Sequence, residues 1–145
     1  MGALRIGWRG ASALSLLIAA GCGGQQSDPP PTTTSQDLGV QFTLSRGSSA
    51  RLDDGRLGIL FRDVTQDSRC PEDVDCVWAG DAAVAVSVTI SDRASEYELH
   101  SSSQFATSVT VDGYRIQLVT LTPGRRSTGS IEPGAYRAEL LATRI

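Results

Sequence analysis

The side chains able to do chemistry in this chain are few: three cysteines, one histidine, and a crowd of carboxylates around two of the cysteines. Cys70 and Cys76 lie within Ser68 to Gly80, SRCPEDVDCVWAG. A zinc reading fails on ligand count, because His100 is the only histidine and stands 24 residues beyond Cys76. A redox pair fails on spacing, which is not CxxC. Asp63, Asp67, Glu72, Asp73, Asp75 and Asp81 fall within 19 residues, against only Arg62 and Arg69. A calcium loop draws on such carboxylates, yet neither DxDxDG nor a Gly-rich calcium repeat is present, so a solvated acidic turn is the plainer expectation. His100 precedes Ser101, Ser102 and Ser103, but neighbours on an extended chain point to opposite faces and do not form a nucleophile and base. Glu96 and Glu98 share a strand face and are expected there as exposed residues rather than paired acids. With no Gly-rich phosphate loop and no nucleophile elbow, the sequence offers no catalytic residue, cofactor or metal site.

The third cysteine belongs to a different chemistry. Arg5 and Arg9 form a basic leader, Ala11 to Ala20 an apolar run of ten residues, and Ala19, Ala20 and Gly21 the small side chains a signal peptidase accepts. Ten residues that include Ser12 and Ser15 are too few for a hydrocarbon core that needs about 20. Leu17, Ile18, Ala19, Ala20, Gly21 and Cys22 resemble the lipobox of bacterial lipoproteins, with Ala19 where leucine is usual. The resemblance implies that Cys22 becomes the lipidated first residue of the mature chain. It also implies palmitate-type acyl chains, two or more of which anchor a protein stably. Gly23, rather than aspartate, implies the outer membrane if the host is Gram-negative.

Gly23 to Asp37, GGQQSDPPPTTTSQD, holds no aliphatic or aromatic side chain and is expected to be an unfolded tether. Fifteen flexible residues span roughly 20 Å, and the Pro29 to Pro31 run stiffens the middle. The expected division is thus a signal segment over 1–21, a lipidated cysteine with linker over 22–37, and one domain over 38–145. Loss of residues 1–21 leaves 11 arginines against 16 acids, a formal charge of −5. There is no lysine, and the only adjacent basic pair is Arg125 and Arg126, so nucleic acid is excluded as a partner.

With Cys22 committed to lipid, Cys70 and Cys76 remain as an even pair in an oxidising compartment, and a disulfide is the natural expectation. Closing so short a loop contributes roughly 2.4 kcal/mol on the chain-entropy estimate. Pro71 starts the turn and Gly80 allows a backbone conformation closed to other residues. Arg69 is expected to pair with Asp67 or Asp63 rather than to grip a ligand. Trp78 has two readings, an interface anchor or, more ordinarily, a core residue packed over the disulfide. Asp67, Ser68, Arg69, Cys70, Pro71, Cys76, Trp78, Ala79 and Gly80 resemble a pattern in uncharacterised secreted bacterial proteins, often lipoproteins. That pattern runs D-S-R-C-P, then C-x-W-A-G and a valine-rich strand. The resemblance extends loosely over 40–145; it supports the disulfide and supplies no mechanism.

Period-two alternation must build the scaffold that positions this loop. Val84, Val86, Val88 and Ile90 share one side of a strand, with Ala85, Ser87, Thr89 and Ser91 on the other. Val40/Phe42/Leu44, Leu57/Ile59/Phe61 and Tyr97/Leu99 repeat the pattern. Phe105 to Val111 and Tyr114 to Leu118 flank Asp112-Gly113, a type I′ hairpin signal. Asp54-Gly55 predicts a hairpin between Ala50/Leu52 and Leu57/Ile59, and Gly134 to Thr143 a last strand. Phase slips at Leu118/Val119/Leu121 and at Leu140/Leu141 predict bulges.

The expected fold is all-β, a single small antiparallel sandwich or barrel of seven or eight strands. The expected protein is a monomeric, lipid-anchored, non-enzymatic envelope protein. Its disulfide-closed acidic loop, with Arg69, Glu72, Asp73, Asp75 and Trp78, would meet an envelope protein partner. The alternatives are a protease-inhibitor-like module using the 70–76 loop and a calcium-stabilised structural domain.

Overall fold

Alternation of small and branched apolar side chains becomes two stacked sheets. The computed structural model describes residues 31–145; the expected signal segment, Cys22 and the first part of the expected tether lie outside them. The strands are β1 (Thr33–Ser35), β2 (Gln41–Ser45), β3 (Ser49–Leu52), β4 (Leu57–Asp67), β5 (Ala82–Ile90), β6 (Arg93–His100), β7 (Ser108–Val111), β8 (Tyr114–Thr122) and β9 (Arg137–Arg144). One sheet has the order β1-β3-β4-β5-β6 and the other β2-β9-β8-β7. All pairings are antiparallel except that β1 runs parallel to β3. This is a small β-sandwich, as the alternation predicted.

The inward positions are those the period named, except Val40, which precedes β2 and is 55% exposed. Val84, Val86 and Val88 of β5 and Leu57, Ile59 and Phe61 of β4 meet Phe42, Leu44, Ile116 and Leu140 from the opposite sheet. Burying a branched or aromatic side chain of this kind stabilises by about 1.5–3 kcal/mol each, which makes this cluster the main support of the fold.

The turns follow from φ. Asp112 and Gly113 both have positive φ (47° and 81°) and close Val111 onto Tyr114, the expected type I′ hairpin. The β3–β4 hairpin also forms, but over four residues, with Asp53, Asp54 and Gly55 all at positive φ. The Asp53 carboxylate takes hydrogen bonds from the Tyr114 hydroxyl and Arg144, tying this turn to the other sheet. Ser91 and Asp92 make a third tight turn, at φ 46° and 67°, without the glycine that would have announced it.

Several local expectations change; the last strand begins at Arg137 rather than Gly134, because Pro133–Ala135 forms a short 3-10 turn before it. Thr33–Ser35, inside the stretch read as tether, adds to the edge of β3 through Ser49 N–H to Thr32 O (2.9 Å) and Gln36 N–H to Arg51 O (2.9 Å). A short polar strand needs only an open sheet edge, not a core, so composition did not reveal it. Phe105 and Thr107 precede β7 rather than belonging to it. Val119 of β8 is the bulge expected near Leu118, whereas Leu140 and Leu141 sit in regular register, one inward and one half-buried. Two further irregularities interrupt β4, because its 11 residues pair with the nine of β5.

Strand direction then sorts the connections. The tight turns at 53–56, 91–92 and 112–113 close one end of the sandwich. At the other, β4, β6 and β8 release the three long loops 68–81, 101–107 and 123–136.

Candidate functional site

The 68–81 loop is closed within itself by the Cys70–Cys76 disulfide, with Cα atoms 5.9 Å apart. Its two arms zip together beneath the bridge, through Cys70 N–H to Ala79 O and Ser68 N–H to Asp81 O, both 2.7 Å. Gly80 is required there. At φ 72°, a Cβ would fall onto the Ser68 carbonyl oxygen and lie 2.8 Å from Arg69 Cα.

Arg69 fastens this zipped base to the opposite sheet. Its Nε and Nη2 donate to both oxygens of Asp67, at 2.8 and 2.7 Å, in a fork that matches a carboxylate. The same guanidinium reaches across to Leu121 O (2.5 Å) and Pro123 O (2.9 Å) at the end of β8. Tyr136 donates its hydroxyl to Asp67 (3.0 Å) from the start of β9. Burial works to raise the Asp67 pKa, but the hydrogen bonds and charge of Arg69, with Tyr136, outweigh it and hold the carboxyl below its ordinary 3.8. Burial, the bond to Asp67 and its charge raise the Tyr136 phenol. Arg69 therefore pairs with Asp67, while Asp63 goes to Arg46 at 2.7 Å.

The 123–136 loop buttresses the upper half. Arg125 donates to Arg69 O (2.9 Å), and the Glu72 N–H donates to Arg125 O (2.9 Å). Asp73 accepts from Ser127 N–H and hydroxyl, at 2.7 and 2.5 Å. Those two bonds hold its pKa below 3.8. A shallow cavity of about 280 Å³ lies beside this contact, lined by Asp67, Gly124, Arg125, Arg126, Ser130 and Tyr136.

Asp81 is the one buried polar side chain among the described residues, 4% exposed. Its carboxylate is 2.6 Å from His100 Nδ1 and accepts from Ser102 N–H (2.9 Å) and the Ser101 hydroxyl (3.3 Å). Burial opposes ionisation, and the His100 and Ser102 bonds more than offset it, so the Asp81 pKa is lowered. An acid and an imidazole thus stand together, but the serine hydroxyl serves the acid, and His100 Nε2 faces Glu98 at 3.6 Å. The grouping ties the 101–107 loop to the base of the 68–81 loop, where Phe105 stacks on His100 with centroids 5.0 Å apart. The sequence hid this partnership, because 19 residues separate Asp81 from His100.

The acidic residues around the loop do not converge. Asp63, Asp67, Asp73 and Asp81 each serve different partners, Glu72 lies 3.9 Å from Arg126, and Asp75 is exposed. No group of three His, Cys, Asp or Glu side chains among the described residues could hold a metal ion.

Trp78 does not pack over the disulfide as core. It is 53% exposed, with Val74 at 45% and Val77 fully exposed. No other connection presents more than one large exposed apolar side chain among the described residues. The base beneath the loop is polar, occupied by the Arg69 fork, Asp67 and Tyr136. What the site offers chemically is a rigid apolar tip, fringed by Glu72, Asp73 and Asp75, on a base whose polar groups are already satisfied. Searches by family, among curated proteins and among solved structures return no match to this chain.

Proposed function

We propose that this chain is a lipid-anchored protein of the cell envelope, in the outer membrane if the host is Gram-negative. In this reading its β-sandwich is a non-enzymatic recognition module and the 68–80 loop is the contact surface. One observation carries the reading: Val77 and Trp78 are held in water by a disulfide, an Arg–Asp fork and a buttressing loop. Exposed apolar side chains on a preformed loop lose little conformational entropy on binding, and tryptophan is a frequent energetic centre of interfaces. The signal segment and lipobox resemblance support export and anchoring. No helix among the described residues is long and apolar enough to cross a membrane.

A photo-crosslinking residue at position 77 in intact cells tests the reading, with position 119 on the sheet face as control. Adducts at 77 that are absent at 119 support it; equal labelling at matched abundance overturns it.

A second reading is favoured by the same exposure. A disulfide-closed loop with Val77 outermost has the form of a protease-inhibitor segment, and would bind a protease while resisting cleavage between Cys76 and Trp78. Inhibition across a protease panel, with the loop recovered intact, would establish it; rapid cleavage there would dismiss it.

A further inference from the structure

We infer that the Val74, Val77 and Trp78 tip seats in the headgroup layer of the membrane that holds the anchor, which makes the lipid surface itself the envelope partner of the loop. This rests on the anchoring reading above and adds where the domain points.

The direction of the entering chain carries it. β1 runs parallel to β3, with Thr33 beside Ser49 and Ser35 beside Arg51, and β3 is antiparallel to β4. Followed backward from β1, the backbone at Thr32 and Pro31 therefore travels along the sheet edge toward the carboxyl end of β4, the end that bears the 68–81 loop. Ser49 lies level with Leu60, and β4 continues to Asp67, a rise of roughly 20 Å. Ten peptide steps separate Cys22 from Thr32, at most about 35 Å of chain. Three of those residues are Pro29, Pro30 and Pro31, which favour continued extension over reversal. The described chain thus enters from the loop end, and an anchor at Cys22 is expected on that side. Bringing the tight-turn end to the bilayer instead requires the tether to double back.

The loop end also has the chemistry for that position. Tryptophan favours the interfacial layer, where its apolar body and its N–H are both satisfied, and Val77 is fully exposed in water. Phe105, 49% exposed, lies in the 101–107 loop at the same end. The fringe of Glu72, Asp73 and Asp75 selects the headgroup charge. It repels an anionic surface and tolerates a zwitterionic one.

Trp78 is its own probe, since the other tryptophan, Trp8, falls in the expected signal segment. The full chain is expressed in a bacterial host, purified from membranes and reconstituted into phosphatidylcholine vesicles with bromine at shallow or deep acyl positions. The expected result is a blue shift of Trp78 emission relative to a Cys22→Ser form in buffer that also carries Trp8→Phe, with quenching stronger by shallow bromines. Val77→Asp should abolish the quenching while the protein still floats with the vesicles, and added phosphatidylglycerol should weaken it at low salt. A protein that floats but keeps the emission of the Cys22→Ser form, unquenched, overturns the inference and leaves anchoring intact. A protein adduct at position 77 in cells together with that result would assign the tip to a protein partner. An unacylated Cys22 in the intact mass, with no flotation, overturns the anchoring reading itself and this inference with it.

Discussion

At the scale of single residues, the loop depends on three side chains and one missing one. Gly80→Ala places a methyl group against the Ser68 carbonyl at a positive φ, and should cost about 3 kcal/mol or more in denaturant unfolding; a change under about 0.5 kcal/mol would show that the arms can separate freely. Arg69→Met leaves the Asp67 carboxylate mostly buried and uncompensated, an expected loss of about 3 kcal/mol, whereas Asp67→Asn combined with Arg69→Met should cost less than the single change. A double variant worse than both single ones would deny the pairing its electrostatic role. The acid limb of stability is set here as well. Asp67 and Asp81 have folded pKa values below the unfolded value of 3.8. Their contribution is therefore fully present above about pH 5 and is lost as pH falls through the folded values. Melting measured from neutral to acid pH should be flat for these groups until the acid limb, and Asp81→Asn should make that limb shallower. The Arg69–Asp67 pairing was legible in the motif because the partners are two residues apart. The bonds from Arg69 to Leu121 and Pro123 were not, because only packing of the two sheets brings β8 beneath this loop.

At the scale of elements, the disulfide and the buttress divide the labour of holding the loop. The Cys70→Ser/Cys76→Ser variant should lose about 2.4 kcal/mol. It should keep a sandwich with unchanged far-ultraviolet circular dichroism, since the Arg69 contacts to Asp67, Leu121, Pro123 and Arg125 lie outside the bridge. Val77→Asp, in contrast, should alter stability by no more than about 0.5 kcal/mol, because the side chain touches water alone. A large loss from Val77→Asp, read in the same denaturant titration, would mean that the tip is packed in solution. Strands were readable wherever one face alternated with the other, as in β5, and turns wherever aspartate preceded glycine. β1 was unreadable because three exposed polar residues carry no period, and the Ser91-Asp92 turn because its left-handed residues are not glycines. Trp78 was misassigned for a related reason: a tryptophan beside a disulfide is ordinarily covered, and here the base beneath the loop is occupied by polar groups.

At the scale of the whole molecule, the sandwich gathers its three long loops at one end, beside the short 46–48 turn, and the turns at 53–56, 91–92 and 112–113 at the other. The carboxylates around the loop do not converge among the described residues, so calcium should leave the melting temperature unchanged within error; a clear rise in a calorimetric scan would show carboxylates meeting in a way absent here. Composition and alternation by themselves determined the fold class, most of the inward set of residues and the disulfide pair, because each of these is a property of local pattern or of counting. The tertiary structure alone decided three things: that Asp81 meets His100, that Arg69 spans two sheets, and that Val77 and Trp78 face outward. Contacts across tens of residues, and the volume left beneath a loop, are set only when both sheets have closed on one core.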